Sequence, residues 1–400
     1  MEVSTRFLES QSLLFRSTYR QIEYDQSTTQ QNEEFLLGRL EYNGRIKKRF
    51  IVAGAFYETG SGMEAKKEYS YLEVAPGQGV YTWIDYNGNN VQELNEFEPA
   101  VFLDEANFIR VYSQTNEYIR VFTSQLSGNL SLDPSKIMNR KKKFAAFIGR
   151  FHNKSFINFI KKSSGSSFND MYLPYTTEAT DTNIISENNS WRNVLSFNRG
   201  STKFGITWTH NEIRTRALLT NGFENREQIK DEVKLNWNIS KSITLQLPGL
   251  IGFRSFDSEF FPQNNYNIEE LGIKPGISWQ NGTKFRFSVL GDYTERKNTI
   301  TGLEQAIIRK AGIELKFSAA SKGIVQANLN MLYINYSGES SNSIEYIMLE
   351  GLKDGRNFTW NVTAQRYIGK NLQLNFIYDA RSSEGNPVIH TGNIQLRAFF

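Results

Sequence analysis

The last thirty residues alternate with a period that few folds accommodate. In Asn371-Leu372-Gln373-Leu374-Asn375-Phe376-Ile377-Tyr378-Asp379-Ala380-Arg381 the even positions are apolar and the odd ones almost all polar. That is the two-residue period of a β-strand with one apolar face. Ile394-Gln395-Leu396-Arg397-Ala398-Phe399-Phe400 repeats it, with Asn393, Gln395 and Arg397 on the polar side. Strands of soluble proteins run about five to six residues, whereas a tilted strand that crosses a bilayer needs about nine to eleven. Apolar alternation sustained over segments of that length predicts an all-β fold, an antiparallel transmembrane β-barrel.

Composition permits this. Mean hydropathy is −0.49, and the longest apolar runs, such as 50–56 and 144–149, fall far short of the roughly 18 residues of a spanning helix. A barrel needs no such run, because half of each strand faces a polar lumen. The 14% aromatic content and the absence of Cys suit aromatic girdles and an envelope protein without disulfides. A net charge of +4 over 400 residues, with no basic run inside a nucleic-acid motif, argues against nucleic acid as a partner. Met1-Glu2-Val3-Ser4-Thr5-Arg6 has no apolar signal segment after it, so the chain is expected to be a processed protein or the C-terminal part of a longer one.

Residues 1–115 alternate less cleanly and are expected to form a β-rich module, some of whose strands could instead belong to the barrel wall, with 116–400 as the barrel. Within the module, 50–56 is apolar on both faces, as a strand covered on two sides would be. The module ends in a calcium-type loop at 85–96. Asp85, Asn87, Asn89, Glu93 and Glu96 stand at positions 1, 3, 5, 9 and 12 of twelve, and the backbone carbonyl of Val91 supplies position 7. Asn90 holds the sixth place, usually Gly, and Gln92 the eighth, usually aliphatic. The competing reading is a plain Asn-Gly turn.

Residues 97–117 read as a link with one short helix, and long strands begin at Tyr118. The stretch 144–160 could be helix or strand, 163–190 is an exposed loop, and the basic run 140–143 is a solvated turn. After Trp191, strands pair across tight turns at 199–202, 240–242, 281–282, 321–323 and 369–370, with longer polar loops at about 210–227, 255–266, 297–304 and 382–387. Short turns on one rim and long loops on the other are the arrangement of outer-membrane barrels. With 344–350 taken as a strand inside one loop, the chain makes eleven crossings from Asn193 onward, and about fourteen strands in all, within a range of 12–18, because bacterial barrels have even numbers.

Gly77-Gln78-Gly79-Val80-Tyr81, Asp85-Tyr86-Asn87-Gly88 and Glu93-Leu94-Asn95-Glu96-Phe97-Glu98, with Met348-Leu349-Glu350-Gly351-Leu352 and the ending from Ile389-His390-Thr391-Gly392 to Phe400, resemble the C-terminal region of large outer-membrane proteins of Bacteroidota. The resemblance spans the whole chain and implies fold and location, the outer membrane of a Gram-negative bacterium, with no activity attached. The outer-membrane lipid is then an expected partner. So is the assembly machinery, which would read Ile394, Leu396, Ala398 and Phe400 on the last strand.

Catalysis is not expected. His152, His210 and His390 lie in no GxSxG elbow and at no metal spacing, and no Cys nucleophile exists. Arg286, Asp292, Arg296, Glu314, Lys316, Asp379, Arg381 and Arg397 are expected to face the lumen. Being mixed in sign, they are expected to pair with one another rather than to select ions. The function expected is transport, export or support in the envelope. The rival is a secreted, calcium-stabilised β-sandwich or adhesin, which would bury Trp208, Trp237, Trp279 and Trp360 where a barrel would show them to lipid.

Overall fold

The computed structural model describes residues 2–8, 10–22, 33–138, 141–165, 167–175, 183–219, 222–319, 322–339, 342–369 and 371–399. Twenty strands join in one antiparallel sheet. In chain order they begin with β1 (Glu2–Leu8), β2 (Gln11–Ile22), β3 (Glu33–Ile46), β4 (Ile51–Glu73), β5 (Tyr81–Trp83), β6 (Phe97–Pro99), β7 (Phe108–Leu132), β8 (Phe151–Ser163), β9 (Ile184–Phe197) and β10 (Phe204–Leu219). They continue with β11 (Gly222–Asn238), β12 (Ile243–Ser258), β13 (Tyr266–Ile273), β14 (Gly276–Asn281), β15 (Phe285–Asn298), β16 (Gln305–Ala319), β17 (Gly323–Ser337), β18 (Gly355–Ile368), β19 (Leu372–Ser383) and β20 (Ile389–Ala398). Among the described residues three short α-helices sit in the connections: α1 (Lys143–Ile148), α2 (Phe168–Tyr172) and α3 (Ser343–Leu349).

Each long strand pairs with the next in sequence, from β1–β2 through β19–β20, with β4 pairing directly to β7. β13 and β14 are one crossing interrupted at Lys274-Pro275: β12 and β15 pair with both halves. Pro275 has no N–H to donate, so the ladder cannot run through it. Among the described residues, with the short β5 and β6 set aside and β13 and β14 counted together, seventeen crossings remain, within the expected range of 12–18 and above its central figure of fourteen. Eleven of them follow Ile184, as expected from Asn193 onward.

The strands of residues 1–115 do not form a sheet of their own. β2, β3 and β4 continue the wall, and position 115 falls inside β7. The apolar run at 50–56 is covered by no second layer; Ala55 stands exposed. The expected polar loop at 210–227 is instead the upper half of a ladder from Phe204↔Trp237 to Leu219↔Gly222. The stretch 144–160 divides into α1 and β8, 344–350 is mostly helix rather than strand, and no helix forms over 97–117. The turn residues Arg140, Ser321 and Lys370 and the terminal Phe400 lie outside the described residues.

The sheet curls around an interior, and register sorts every side chain to one face. Phe256, Ile268, Ala306, Ile308, Leu332 and Ile334 point inward and receive α3, whose Ile344, Met348 and Leu349 complete an apolar core. The spacing 344, 347, 348 puts apolar residues on one side of a helix; Asn342 caps its start by accepting from the Glu345 N–H at 2.7 Å. Met348 and Leu349 are fully buried, each worth about 1.5–3 kcal/mol. Alternate residues face outward: Ile313, Leu315, Phe317, Leu329, Met331, Ile394 and Leu396 are all exposed. Among the described residues β20 pairs only with β19.

Between β4 and β7, residues 74–107 turn into the interior. Gly77 and Gly79 both donate to the carbonyl of Ala106, at 3.1 and 2.8 Å. A Cβ on Gly79 would lie 2.5 Å from Phe108 N and 2.6 Å from Ala106 O, so only glycine lets the excursion lie this close to the start of β7. Gly79→Ala is expected to detach residues 74–107 while sparing the wall. Limited proteolysis should cut the variant within this segment at protease levels the parent chain resists.

Candidate functional site

The interior is crossed by an acidic strap held on a basic wall. Residues 94–105 of the excursion carry Glu96, Glu98, Asp104 and Glu105. Facing strands supply Arg110 on β7, Arg226 on β11, Arg296 on β15 and Arg381 on β19. Stacking of Phe97 on Tyr71, with ring centroids 4.0 Å apart, and edge contact with Phe108 at 5.0 Å fix the base of the strap. Asn264 reaches the carbonyl of Asn95 at 2.8 Å and ties the strap to the β12–β13 connection.

At its far end the strap meets β19. The Arg381 guanidinium donates to both oxygens of Asp104, at 2.5 and 2.9 Å, and to Glu105, and lies 4.0 Å over the Phe102 ring. Tyr346, on α3, accepts from the N–H of Val101 at 3.1 Å and donates to Glu105 at 3.3 Å. The strap is thereby bound to α3, which is itself pinned by Arg296. That side chain donates to Glu270 at 2.9 Å, to the Met348 carbonyl at 2.6 Å and to Glu350. Arg110 grips Glu224 at 2.7 Å, and Arg226 reaches the same carboxylate at 3.1 Å while lying over the Phe256 ring. Such pairs repay desolvation only where hydrogen bonds satisfy both partners, and these are multiply bonded.

The strap's carboxyls divide by environment. Burial works against ionisation of Asp104, but the Arg381 guanidinium outweighs it and holds the group below the usual range. Glu105, more deeply placed, is pushed up by burial, and Arg381 only partly offsets this. Glu98 is 6% exposed; burial pushes its pKa up to about 7 against the pull of Arg226 and a hydrogen bond from Ser343. The Tyr86 hydroxyl is buried without a partner, and its pKa is raised first by burial and then by nearby acids.

The loop at 85–96 closes on itself. Asp85 accepts from the N–H groups of Gly88, Asn89 and Asn90 at 2.7–3.2 Å, Asn87 from Asn89, and Asn89 from Val91. Asn90 takes the left-handed conformation the loop requires, with φ +56. Asn87 bonds Glu93, and the buried Glu96 turns to the indole N–H of Trp83 at 2.9 Å. Among the described residues no group of three or more His, Cys, Asp or Glu side chains is arranged to hold a metal. The Asn-Gly turn accounts for the loop's hydrogen bonds.

Of the expected lumen charges, Arg296 and Arg381 hold α3 and the strap. Arg286 pairs with Glu314 at 2.7 Å, and Asp292 with Lys274 at 3.1 Å. Lys316 lies in register with Arg286, Asp379 beside Asn361 on the neighbouring strand, and Arg397 on the exposed β20. Interior pairing is thus the rule, but the main partners, Asp104, Glu105 and Glu350, come from connections that alternation could not place. A cleft of about 540 Å³ remains between the strap and β15–β20, lined by Val101, Leu290, Lys310, Asn330, Asn361 and Asp379 among others. The histidines lie apart: His152 beside Arg199 at the lower rim, His390 hydrogen-bonded to Tyr378 at 2.8 Å, and His210 to Asp231 at 3.1 Å.

No family model matches the chain, and no curated protein does. Among solved structures it is similar to the ferric yersiniabactin uptake receptor FyuA from Yersinia pestis, at TM-score 0.36 and 8% identity, over 99% of this chain and 69% of that one. It is also similar to the P. putida toluene transporter TodX, at TM-score 0.25 and 8% identity, over 98% and 89%. Likenesses this distant say nothing of what the chain carries.

Arg381→Ala leaves Asp104 and Glu105 without their shared donor. A double-mutant cycle with Asp104→Ala, read by chemical denaturation, is expected to give a coupling of about 1–3 kcal/mol. Glu98 has the opposite sign of pH dependence from an ion-paired acid. Because its pKa is higher folded than unfolded, its contribution favours the docked strap at low pH and is lost as pH rises toward about 7. Protease protection of residues 74–107 should therefore weaken from pH 5 to pH 7.5, and Glu98→Gln should flatten that profile.

Proposed function

We propose that this is an outer-membrane β-barrel protein whose lumen is a gated conduit, closed by the strap and α3. One observation carries the reading: exposed large apolar side chains lie on the outer face of strand after strand, while charges and amides crowd the inner face. Ile251, Leu271, Ile273, Val289, Ile313, Leu329, Met331, Ile394 and Leu396 all belong to that outer surface. A water-soluble protein rarely exposes so large a contiguous patch, and hydrocarbon is the solvent such a surface fits. Of the four tryptophans that separate the two readings, Trp237 and Trp279 are 48% and 45% exposed on it and Trp208 and Trp360 are partly covered, which favours a lipid-facing wall over a sandwich core. Phe197, Phe204, Trp237, Trp279, Phe285 and Phe317 gather toward the rim of short turns, as an interfacial girdle would.

The filled interior favours gating over free diffusion, and the chain's part is then transport or export, with no catalytic step. The outer face of β20, Ile394, Leu396 and Ala398, is the segment the assembly machinery would read. Native membranes of the producing cell should retain the folded chain, which should migrate differently on gels before and after boiling. Deleting residues 394–400 should abolish that species. In planar bilayers the parent chain should conduct little, and Arg381→Ala should raise conductance. A chain fully soluble without detergent would overturn the proposal.

A further inference from the structure

Charge is sorted from rim to rim, which the net charge of +4 hides. At the rim of short turns the β3–β4 turn is Lys47-Lys48-Arg49, and Lys203, Lys241, Lys284 and Lys322 stand in the hairpins β9–β10, β11–β12, β14–β15 and β16–β17. Asp133 is the one acid in these connections among the described residues, and Lys136 lies 3.9 Å from it. The other rim is the reverse. Its connections hold Glu259, Glu304, Glu339, Asp354 and Glu384, with Lys353 as the one cation among the described residues. Residues 74–107 carry acids and no Lys or Arg. Solubility alone would intersperse the two signs over both ends.

The basic collar is thickest where α1 closes on the wall. Lys141, Lys142 and Lys143 lead into α1, whose Phe144 and Phe147 stand three residues apart and therefore on one side of the helix. Phe144 is 76% exposed, and Phe147 is exposed beside it. Phe147 packs on Phe151 and Phe197 of the outer face, with ring centroids 5.5 and 5.7 Å away, and Phe197 meets Phe204 at 6.3 Å. The helix thus extends the aromatic girdle. Its other side, Ala145 and Ala146, walls a cleft of about 700 Å³ that Arg150, Phe151, Arg199 and Ser201 also line. That is the size of a small-ligand site. Arg199 lies 3.0 Å from the His152 ring, and neither Arg150 nor Arg199 has a carboxylate partner among the described residues.

Resting on the membrane reading above, we propose that this cleft and the lysines beside it bind the headgroup phosphate of an anionic phospholipid of the periplasmic leaflet. Short turns face the periplasm in such barrels, so the collar meets that leaflet just beyond the girdle that marks the hydrocarbon boundary. Clustered cations beside a membrane draw anionic lipid. A zwitterionic headgroup brings as much positive charge as negative, and only an anionic one supplies the counter-charge that the collar lacks. The phenylalanines select lipid over a soluble anion. A phosphate ion or an acidic polypeptide would neutralise Arg150 and Arg199 but leave Phe144 and Phe147 in water, whereas acyl chains rising beside Phe147 and Phe151 cover them.

Native mass spectrometry of the detergent-purified chain, given equimolar phosphatidylglycerol and phosphatidylcholine with the same acyl chains, reads the preference directly. Phosphatidylglycerol should be retained over phosphatidylcholine by roughly fivefold or more. Arg150→Gln with Arg199→Gln should abolish the preference in a barrel that still shifts on heating. Lys142→Gln with Lys143→Gln, on the exposed connection, should weaken it without touching the wall. Lys322→Gln, on the collar but not at the cleft, should keep it. Equal retention of the two lipids by the parent chain overturns the proposal, and so does a preference that survives both double variants. A preference that inorganic phosphate abolishes assigns the cleft to a soluble anion, and one that poly-glutamate abolishes assigns it to an acidic protein; either overturns the lipid assignment. A heat-shifting barrel with no preference leaves the membrane reading standing, whereas a chain that is soluble without detergent and holds neither lipid removes both.

Discussion

The interior depends on one constraint: the strap's acids have left water and need cations. Asp104 and Glu105 reach theirs in Arg381, whose side chain is 9% exposed, and the same guanidinium covers Phe102. Removing a guanidinium from a buried pair strands the carboxylate, which costs far more than the pair contributes net. The strap's two cationic neighbours, Arg381 and Arg226, come from β19 and β11, strands well separated in the wall. Arg381 bonds Asp104 and Glu105 and the charge of Arg226 acts on Glu98, so that the strap's position is fixed only if the wall's curvature is right. Wall and strap therefore specify each other.

Alternation made the wall legible wherever one face was uniformly apolar. From Ile243 to Ala398 the sheet has the strands and most of the hairpins expected, because Leu245, Phe287, Leu329 and Leu374 repeat outward against polar neighbours. The pattern failed at 210–227 for a physical reason. There the outward positions hold Glu212, Arg214 and Glu227, so both faces are polar and a strand reads as a loop. It failed at 344–350 because seven residues of apolar sequence suit a helix turn or a strand equally. Nothing local marks α3 except Asn342 before it and the left-handed Glu350 and Gly351 after it.

The site was less legible than the wall. Arg296 and Arg381 were expected in the lumen from parity alone, but their partners lie at sequence separations of 54 and 277 residues, and no spacing rule relates them. The signal that existed was local: Asp104-Glu105 directly follows Val101-Phe102-Leu103, an acidic pair on an apolar stretch too short to be a crossing. At the 85–96 loop the oxygen spacing was real and Asn90 adopts the expected backbone. Yet Asn-rich spacing serves backbone amides as well as it serves a cation, and backbone amides bond Asp85, Asn87 and Asn89 here.

The two inward connections differ in how they could be released. α3 is held by burial, with Met348 and Leu349 in the apolar cluster of Ile308, Leu332 and Ile334, and by Arg296 at its end; salt and protons do not weaken the apolar contacts. The strap is held by ion pairs and by a carboxyl poised near neutrality, Glu98, and such contacts respond to pH, ionic strength and any competing cation. A conduit that opens by moving the strap alone would keep its apolar core intact. Gly77 and Gly79 bond the Ala106 carbonyl and hold the two ends of the excursion together, while α3 is docked on the wall independently. On the gated-conduit reading proposed above, opening would cost the strap's ion pairs and leave the buried helix in place, so the strap is the half of the interior suited to move.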